Sequence, residues 1–208
     1  FRVNLLLNQQ NAVGSFLDVG CGYGAFLYEI FSQNNNFDLA GLDISKDAID
    51  FCAGKVPTAR LVNDTISNLN EHFEENSYDV VFTSGVMIHQ APETLSSLID
   101  NLIKIGRKYI IHFEDEGVGE LISGEKEFNP NWRESDQFLW KNGLISIYQN
   151  KGCSFYFGTG VPAELQQIGF TNYIIVDLLN SNTYYNQSDE DRASILNTEE
   201  KIMKNLIK

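Results

Sequence analysis

The sequence predicts an α/β domain with a doubly wound, mostly parallel sheet and helices on both faces. Short apolar runs alternate with segments of helical spacing through the first two thirds of the chain, and that alternation is typical of such a sheet. The 208 residues fit a single domain over residues 1–208, and 43% of them are hydrophobic, which is enough to form a core. A ligand is then expected at the carboxyl ends of the strands.

Five strands and three helices account for the first half of the chain. The strands are predicted over residues 15–20, 37–43, 59–62, 78–84 and 108–113. Helical spacing marks residues 25–32 and the amphipathic segment 92–105. Between these two helices, Ser45 is a typical helix N-cap, and the helix that follows it is expected to direct Phe51 inward.

The alternation stops after residue 116. Residues 117–160 are rich in Gly, Asn and aromatic residues, and we expect a partly helical cap there, inserted after the fifth strand. A last helix over 162–168 and a last strand over 170–179 follow, with a closing helix from about residue 189. Because the sequence opens on Phe1 and not on methionine, we also expect a further N-terminal segment.

Charge and cysteine content disfavour several classes of partner and site. The chain has 15 basic and 28 acidic residues, a net charge of −13, which disfavours nucleic acids and anionic membrane surfaces. No apolar run approaches the roughly 20 residues of a membrane span. The three cysteines form no CxxC pair, and free thiols are typical of a reducing cytoplasm. We expect a cytoplasmic protein that acts on a small molecule.

The strongest motif follows the first strand, where residues 18–24 read DVGCGYG. Glycines let the backbone approach a ligand and turn into a helix, although a tight turn without a ligand would use them too. Gly20, Gly22 and Ala25 also satisfy the GxGxxA dinucleotide pattern. Asp18, however, would sit badly beside a pyrophosphate and well beside an ammonium group. Asp43 ends the second strand. A carboxylate there can accept hydrogen bonds from both ribose hydroxyls of a nucleoside ligand, whether or not the ligand is a dinucleotide. The alternative is that Asp43 only stabilises the N-terminus of the helix that follows.

This motif resembles motif I of the class I S-adenosylmethionine-dependent methyltransferases, and the resemblance extends over about residues 16–113. It implies a Rossmann-like fold and S-adenosylmethionine as cofactor. It further implies that Asp64 receives the adenine amino group and that the Thr65 amide meets a ring nitrogen, where a solvated loop is the simpler alternative. The cofactor-binding residues that it implies are Asp18, Gly20, Gly22, Tyr23, Gly24, Asp43, Asp64, Thr65, Ser84 and Gly85.

Residues 78–89 resemble motif IV and the loop that follows it. In the family, backbone carbonyls at the positions of Ser84 and Gly85 hold the methionine ammonium group. The resemblance places His89 at the mouth of the site. Histidine side chains titrate near neutral pH and can take a proton from a hydroxyl or an amine. We expect His89 to be the catalytic base, with a structural or solvent-facing histidine as the alternative.

Further polar and aromatic residues are candidates for substrate binding. His112 and Glu114 end the fifth strand, where they could orient a substrate cation or hold a hard metal ion, unless they belong to an ordinary charged loop. We expect no metal. Trp132 and Trp140 in the predicted cap could cover a sugar or a ring, although such aromatic residues more often form a small core.

A second resemblance narrows the acceptor. Residues 85–93, GVMIHQAPE, are similar to the corresponding loop of methylases of pseudaminic acid and other surface-sugar biosynthesis, and residues 135–141 are loosely similar to another element of that group. It implies a sugar or a nucleotide-linked sugar as the acceptor. The sequence departs from that group between residues 129 and 160, where the acceptor would bind.

The predicted function is therefore methyl transfer from S-adenosylmethionine to a hydroxyl or an amine of a small polar molecule. An NAD-linked oxidoreductase on the same architecture is one alternative, disfavoured because the chain has no Tyr-x-x-x-Lys pair and no long pyrophosphate loop. A non-catalytic partner subunit that keeps the fold is the other. The sequence does not indicate an oligomeric state.

Overall fold

The computed structural model describes residues 13–114, 125–127, 139–141, 143–159 and 172–179. The strands are β1 (Ser15–Val19), β2 (Asp38–Asp43), β3 (Arg60–Asn63), β4 (Tyr78–Ser84), β5 (Gly106–Phe113), β6 (Glu125–Glu127), β7 (Leu139–Lys141), β8 (Ser154–Thr159) and β9 (Asn172–Asp177). The helices are α1 (Ala25–Gln33), α2 (Lys46–Lys55), α3 (Leu69–His72), α4 (Pro92–Ile105) and α5 (Leu144–Asn150). Short 3-10 turns span Ile66–Asn68 and Met87–His89.

Seven strands form one sheet in the order β3-β2-β1-β4-β5-β9-β8. The first five strands of that order are parallel, and β9 pairs antiparallel with both β5 and β8. Two separate apolar clusters cover the sheet: α1 and α2 contribute to one, and α3, α4 and α5 to the other. The predicted doubly wound, mostly parallel fold is confirmed.

Local sequence accounts for where the helices begin. The Ser45 hydroxyl accepts a hydrogen bond from the Ala48 amide at 3.3 Å, which confirms the predicted N-cap of α2. Pro92 occupies the first turn of α4, where its missing N–H costs no helical hydrogen bond. Among the described residues, no helix is both long enough and apolar enough for a bilayer crossing.

The structure corrects two expectations about the fold. Phe51 does not point inward: its side chain is 51% exposed, and its ring meets that of Tyr23 edge-on with centroids 5.5 Å apart. Part of the predicted cap belongs to the main domain, because α5 packs in the core and β8 is the edge strand of the central sheet. The predicted helices over 162–168 and beyond 189 lie outside the described residues.

The sheet brings four strand ends to one edge. Val19 at the end of β1 pairs with Leu42 of β2 and with Thr83 of β4, while Ser84 pairs with Phe113 of β5. The chain runs outward on both sides of β1 and β4, so the strand order reverses between them. Ligands of open α/β sheets bind at such a reversal, which is where the glycine motif lies.

Candidate active site

The glycine loop, residues 20–24, is fixed by backbone hydrogen bonds to its neighbours. The amides of Gly20 and Cys21 both donate to the Leu42 carbonyl, at 2.7 and 3.0 Å, and the Gly24 amide donates to the Cys21 carbonyl at 2.9 Å. The loop therefore lies across the end of β2, and α1 starts from its last residue.

Two of these glycines allow close packing on either side of the loop. A Cβ atom on Gly20 would lie 2.3 Å from a methyl group of Val86, and one on Gly24 would lie 2.2 Å from the Cys52 sulfur. The first contact places the turn after β4 directly against the loop. The second contact packs the start of α1 closely against α2.

Gly22 faces open space instead. A Cβ atom built on Gly22 meets no atom within 4 Å, whereas those on Gly20 and Gly24 would clash. The backbone at the tip of the glycine loop is therefore accessible to a ligand, as expected for a cleft that a cofactor enters.

Asp43 holds the loop from the end of β2. Its Oδ2 accepts a hydrogen bond from the Gly22 amide at 2.7 Å, and its Oδ1 accepts one from the Ser45 amide at 2.8 Å. A carboxylate can accept about four hydrogen bonds, so both oxygens retain capacity for hydroxyl donors. The sequence indicated the ligand role but not this second role, in which Asp43 fixes the loop that the ligand meets.

Asp18 is a buried carboxyl with no hydrogen bond from any residue that the structure describes. Its side chain is 3% exposed. Burial raises the pKa of Asp18 well above its ordinary value, and the nearby Asp43 carboxylate raises it further. A carboxylate in this position is stabilised by a cation, and the ammonium group that the sequence resemblance implies would supply one.

Asp64 follows β3 and is engaged on both oxygens. His72 Nε2 lies 2.6 Å from Oδ2, and the Thr65 backbone amide and the Asn68 side-chain amide donate to Oδ1 at 2.7 and 3.0 Å. The hydrogen bond with His72 is the main reason why the pKa of Asp64 lies below its usual value. The Thr65 amide, predicted to meet an adenine nitrogen, donates to Asp64 instead, because the loop folds back on its own carboxylate.

The turn after β4 carries one exposed titratable side chain. Gly85 has a positive φ of 68° and its amide donates to the Phe113 carbonyl at 3.1 Å. Met87 is buried, whereas His89, two residues later, is exposed. The His89 ring makes no hydrogen bond within the described part of the chain. Since Val86 packs on Gly20, the turn that bears His89 borders the glycine loop.

His112 and Glu114 are both buried, which corrects the prediction that they contact the substrate. The two ring nitrogens of His112 lie 2.8 Å from the Thr83 hydroxyl and 2.7 Å from the Tyr148 hydroxyl. The Thr83 hydroxyl donates to Glu114 at 2.7 Å. Burial lowers the pKa of His112 to about 3 and raises the pKa of Glu114 to about 7.

The two tryptophans remain predictions. Trp132 lies outside the described residues. Trp140 lies in β7, which pairs with β6, and the backbone of β7 comes within 8 Å (Cα to Cα) of the Met87–His89 turn. This placement brings β7 close to the turn that bears His89. In the described residues, no group of three His, Cys, Asp or Glu side chains is arranged to hold a metal ion.

Known proteins share both the sequence pattern and the fold. Residues 16–108 match a family described as a methyltransferase domain. A malonyl-[acyl-carrier protein] O-methyltransferase of Ilyobacter polytropus is 22% identical over 152 residues, which cover 72% of this chain and 59% of the relative. The chain thus spans about three fifths of the length of that curated relative.

Solved structures show the same architecture at low sequence identity. A protein from Pyrococcus horikoshii, 14% identical, has a TM-score of 0.60 over 84% of this chain and 86% of its own. The plantazolicin methyltransferase BpumL, solved with a desmethylplantazolicin analogue and S-adenosylhomocysteine, is 19% identical with a TM-score of 0.59, over 84% and 80%.

These similarities agree with the site. The family match begins in β1 and ends in β5, so it includes the glycine loop and the loops that follow β2, β3 and β4. The family match and the curated relative support the prediction of a methyltransferase, and the solved structures share its fold. Residues 16–108 thus match a methyltransferase domain, in agreement with the resemblance of the sequence to class I S-adenosylmethionine-dependent methyltransferases.

Proposed function

We propose that this protein transfers the methyl group of S-adenosylmethionine to a hydroxyl or an amine of a small polar molecule. A sugar or a nucleotide-linked sugar is the acceptor class that the sequence resemblance implies. The observation that carries the proposal is the exposed His89, whose ring has no hydrogen-bond partner among the described residues, on a turn whose Val86 packs against the glycine loop. A proton acceptor thereby borders the loop where the cofactor is expected.

The described residues fit the cofactor at three points. Gly22 offers accessible backbone, Asp43 retains hydrogen-bonding capacity for ribose hydroxyls, and Asp18 is a buried carboxyl that needs a cation. When bound, S-adenosylmethionine supplies an electrophilic methyl group on a sulfonium that leaves as a neutral thioether. Asp64 and Tyr23 are proposed as further contacts for the nucleoside.

The protein's own contribution is to align the acceptor and to remove its proton. A new bond forms between the acceptor oxygen or nitrogen and the methyl carbon while the carbon–sulfur bond breaks. His89 takes the proton that the acceptor loses. Because thioether departure needs no further acid, positioning and exclusion of water account for the remaining acceleration.

The curated relative is named for a different acceptor, the malonyl group of an acyl-carrier protein. A carboxylate acceptor carries no proton at neutral pH, so its methylation would not need His89. Dependence of the rate on His89 therefore distinguishes a hydroxyl or amine acceptor from a carboxylate acceptor.

We expect His89→Asn to lower kcat by 100-fold to 10,000-fold, the usual range for loss of a general base, and to change the affinity for S-adenosylhomocysteine less than twofold. The acceptor is first found by incubating the protein and S-adenosylmethionine with nucleotide sugars, amino sugars and free carboxylic acids and measuring S-adenosylhomocysteine release. Tyr28→Asn, which also removes an exposed ring, is the matched control.

Three results would contradict the proposal. Turnover only with carboxylic acids, at a rate that His89→Asn leaves unchanged, would assign a carboxylate acceptor. S-adenosylhomocysteine binding without turnover on any acceptor would favour the non-catalytic partner subunit. Binding of NADH in a fluorescence titration, with no binding of S-adenosylhomocysteine, would favour the oxidoreductase.

A further inference from the structure

We propose that Glu114 is a positioning residue that holds the turn bearing His89 in its catalytic geometry. Glu114 sits at the end of β5, beneath the turn that follows β4, and has no access to the cleft because only 3% of its surface is exposed. The inference rests on the proposed function for the role of His89. It stands on the hydrogen bonds that join the carboxylate to this turn.

The first step is the contact between the carboxylate and the turn. The Val86 amide donates to both carboxylate oxygens of Glu114, at 3.1 Å each. The backbone N–H groups of Met87 and Ile88 also favour the charged form of Glu114 and so lower its pKa. Three consecutive N–H groups at the start of a short helical turn have no partner within the turn itself. The buried carboxylate accepts directly from the first of them, and the next two favour its charge.

The second step is the orientation of the carboxylate. The Thr83 hydroxyl donates its one proton to Glu114 Oε1 at 2.7 Å, so it accepts from His112 Nδ1 at 2.8 Å. His112 Nε2 then accepts from the Tyr148 hydroxyl at 2.7 Å. This assigns the Nδ1–H tautomer to a neutral His112. The directed chain fixes Glu114 with groups from β4, β5 and α5.

The third step is the charge. Burial raises the pKa of Glu114 to about 7, so the carboxylate is ionised above neutral pH and takes up a proton below it. A protonated carboxyl has an O–H in place of an acceptor site, and the amides of the turn then lose hydrogen-bonding capacity. The other titratable groups of the described residues in this network are His112, which stays neutral because burial lowers its pKa to about 3, and Tyr148.

A residue in this position acts through His89 without touching the acceptor. The Glu114 network holds residues 86–88, and the His89 amide donates to the Val86 carbonyl at 3.1 Å. Loss of the carboxylate therefore changes where the base sits, and it leaves the open tip of the glycine loop at Gly22 intact.

The test is Glu114→Gln, followed by amide NMR and by turnover. In the unmodified protein, the amide signals of Val86, Met87 and Ile88 should titrate together with a midpoint near pH 7. In Glu114→Gln this shared titration should vanish, and kcat should fall at least tenfold at pH 8 with KM for S-adenosylmethionine within threefold. Asp100→Asn, which removes an exposed carboxylate that pairs with Lys151 directly after α5, should change neither readout.

Tyr148→Phe is the second variant, in case Glu114→Gln does not fold. It removes the hydroxyl at the far end of the chain, and it should move the midpoint of the amide titration without abolishing it. The same titration in Glu114→Gln as in the unmodified protein, or none in either, would overturn the positioning role. Failure of the unmodified protein to bind S-adenosylhomocysteine would instead overturn the proposed function, and the amide titration would still decide whether Glu114 holds the turn.

Discussion

Replacing Asp43 with alanine is expected to weaken S-adenosylhomocysteine binding about 100-fold. The Asp43 carboxylate accepts hydrogen bonds from the amides of Gly22 and Ser45. In the proposed function it also accepts hydrogen bonds from the ribose hydroxyls of the cofactor. Hydrogen bonds to a charged group contribute about 1.5–3 kcal/mol each, so loss of about 3 kcal/mol corresponds to two decades in affinity. Isothermal titration calorimetry of the intact protein measures this directly.

The control for Asp43→Ala is Asp47→Ala. Asp47 is an exposed carboxylate in the first turn of α2, so its removal changes the net charge by the same amount close to the same place. We expect its affinity to stay within twofold of the unmodified protein. Equal losses in the two variants would mean that charge near the cleft, and not a specific contact of Asp43, governs binding.

Replacing Gly24 with alanine is expected to lower the free energy of unfolding by about 3 kcal/mol. Its φ of 75° lies in the left-handed region, which costs an alanine about 1–2 kcal/mol. The new Cβ would also lie 2.2 Å from the Cys52 sulfur, and overpacking of this kind costs about 1–3 kcal/mol. In a protein of this size, thermal unfolding should shift down by roughly 6–12 °C.

Gly54→Ala provides the comparison for Gly24→Ala. Gly54 lies within α2, and a Cβ atom there meets nothing within 4 Å. An alanine in a helix is favoured over glycine by about 0.5–1 kcal/mol, so this variant should unfold at the same or a higher temperature. A second check is Gly24→Ala combined with Cys52→Ala, which removes the nearest atom and should recover part of the loss. Unfolding of Gly24→Ala at the temperature of the unmodified protein would show that the loop and α2 are not tightly packed.

The fold was largely predictable because its signals are local. An apolar run followed by a glycine or an acidic residue marks the end of a parallel strand, and the predicted fourth strand and α4 coincide with the observed Tyr78–Ser84 and Pro92–Ile105. The Ser45 cap was predictable for the same reason, since its partner Ala48 is three residues away.

Features that depend on distant residues were not predictable in this way. Phe51 has the spacing of a core residue, but it meets Tyr23 from the glycine loop at the surface. The sequence places residues 154–159 in the predicted cap, whereas the structure places them in the central sheet as β8. Their position depends on antiparallel pairing with β9, and no local pattern reveals that pairing.

The end of β5 shows the same limit within the site. His112 and Glu114 follow a strand as substrate-binding residues often do, yet Tyr148, 36 positions from His112, closes over them from α5. Whether a polar side chain at a strand end faces the cleft or the core depends on the helix that packs there. The loop-holding contact of Asp43 with Gly22 is likewise set by the approach of two separate strands.

The most direct test of the cofactor site is S-adenosylhomocysteine binding to Gly22→Ala, measured by isothermal titration calorimetry beside thermal unfolding. The new methyl group enters open space, and the positive φ of 50° costs about 1–2 kcal/mol, which is less than the cost expected for Gly24→Ala, so the variant should remain folded. If the cofactor lies against the tip of the glycine loop, the methyl group occupies its place, and affinity should fall at least 100-fold. Unchanged affinity in a folded Gly22→Ala protein would contradict a cofactor site at this loop.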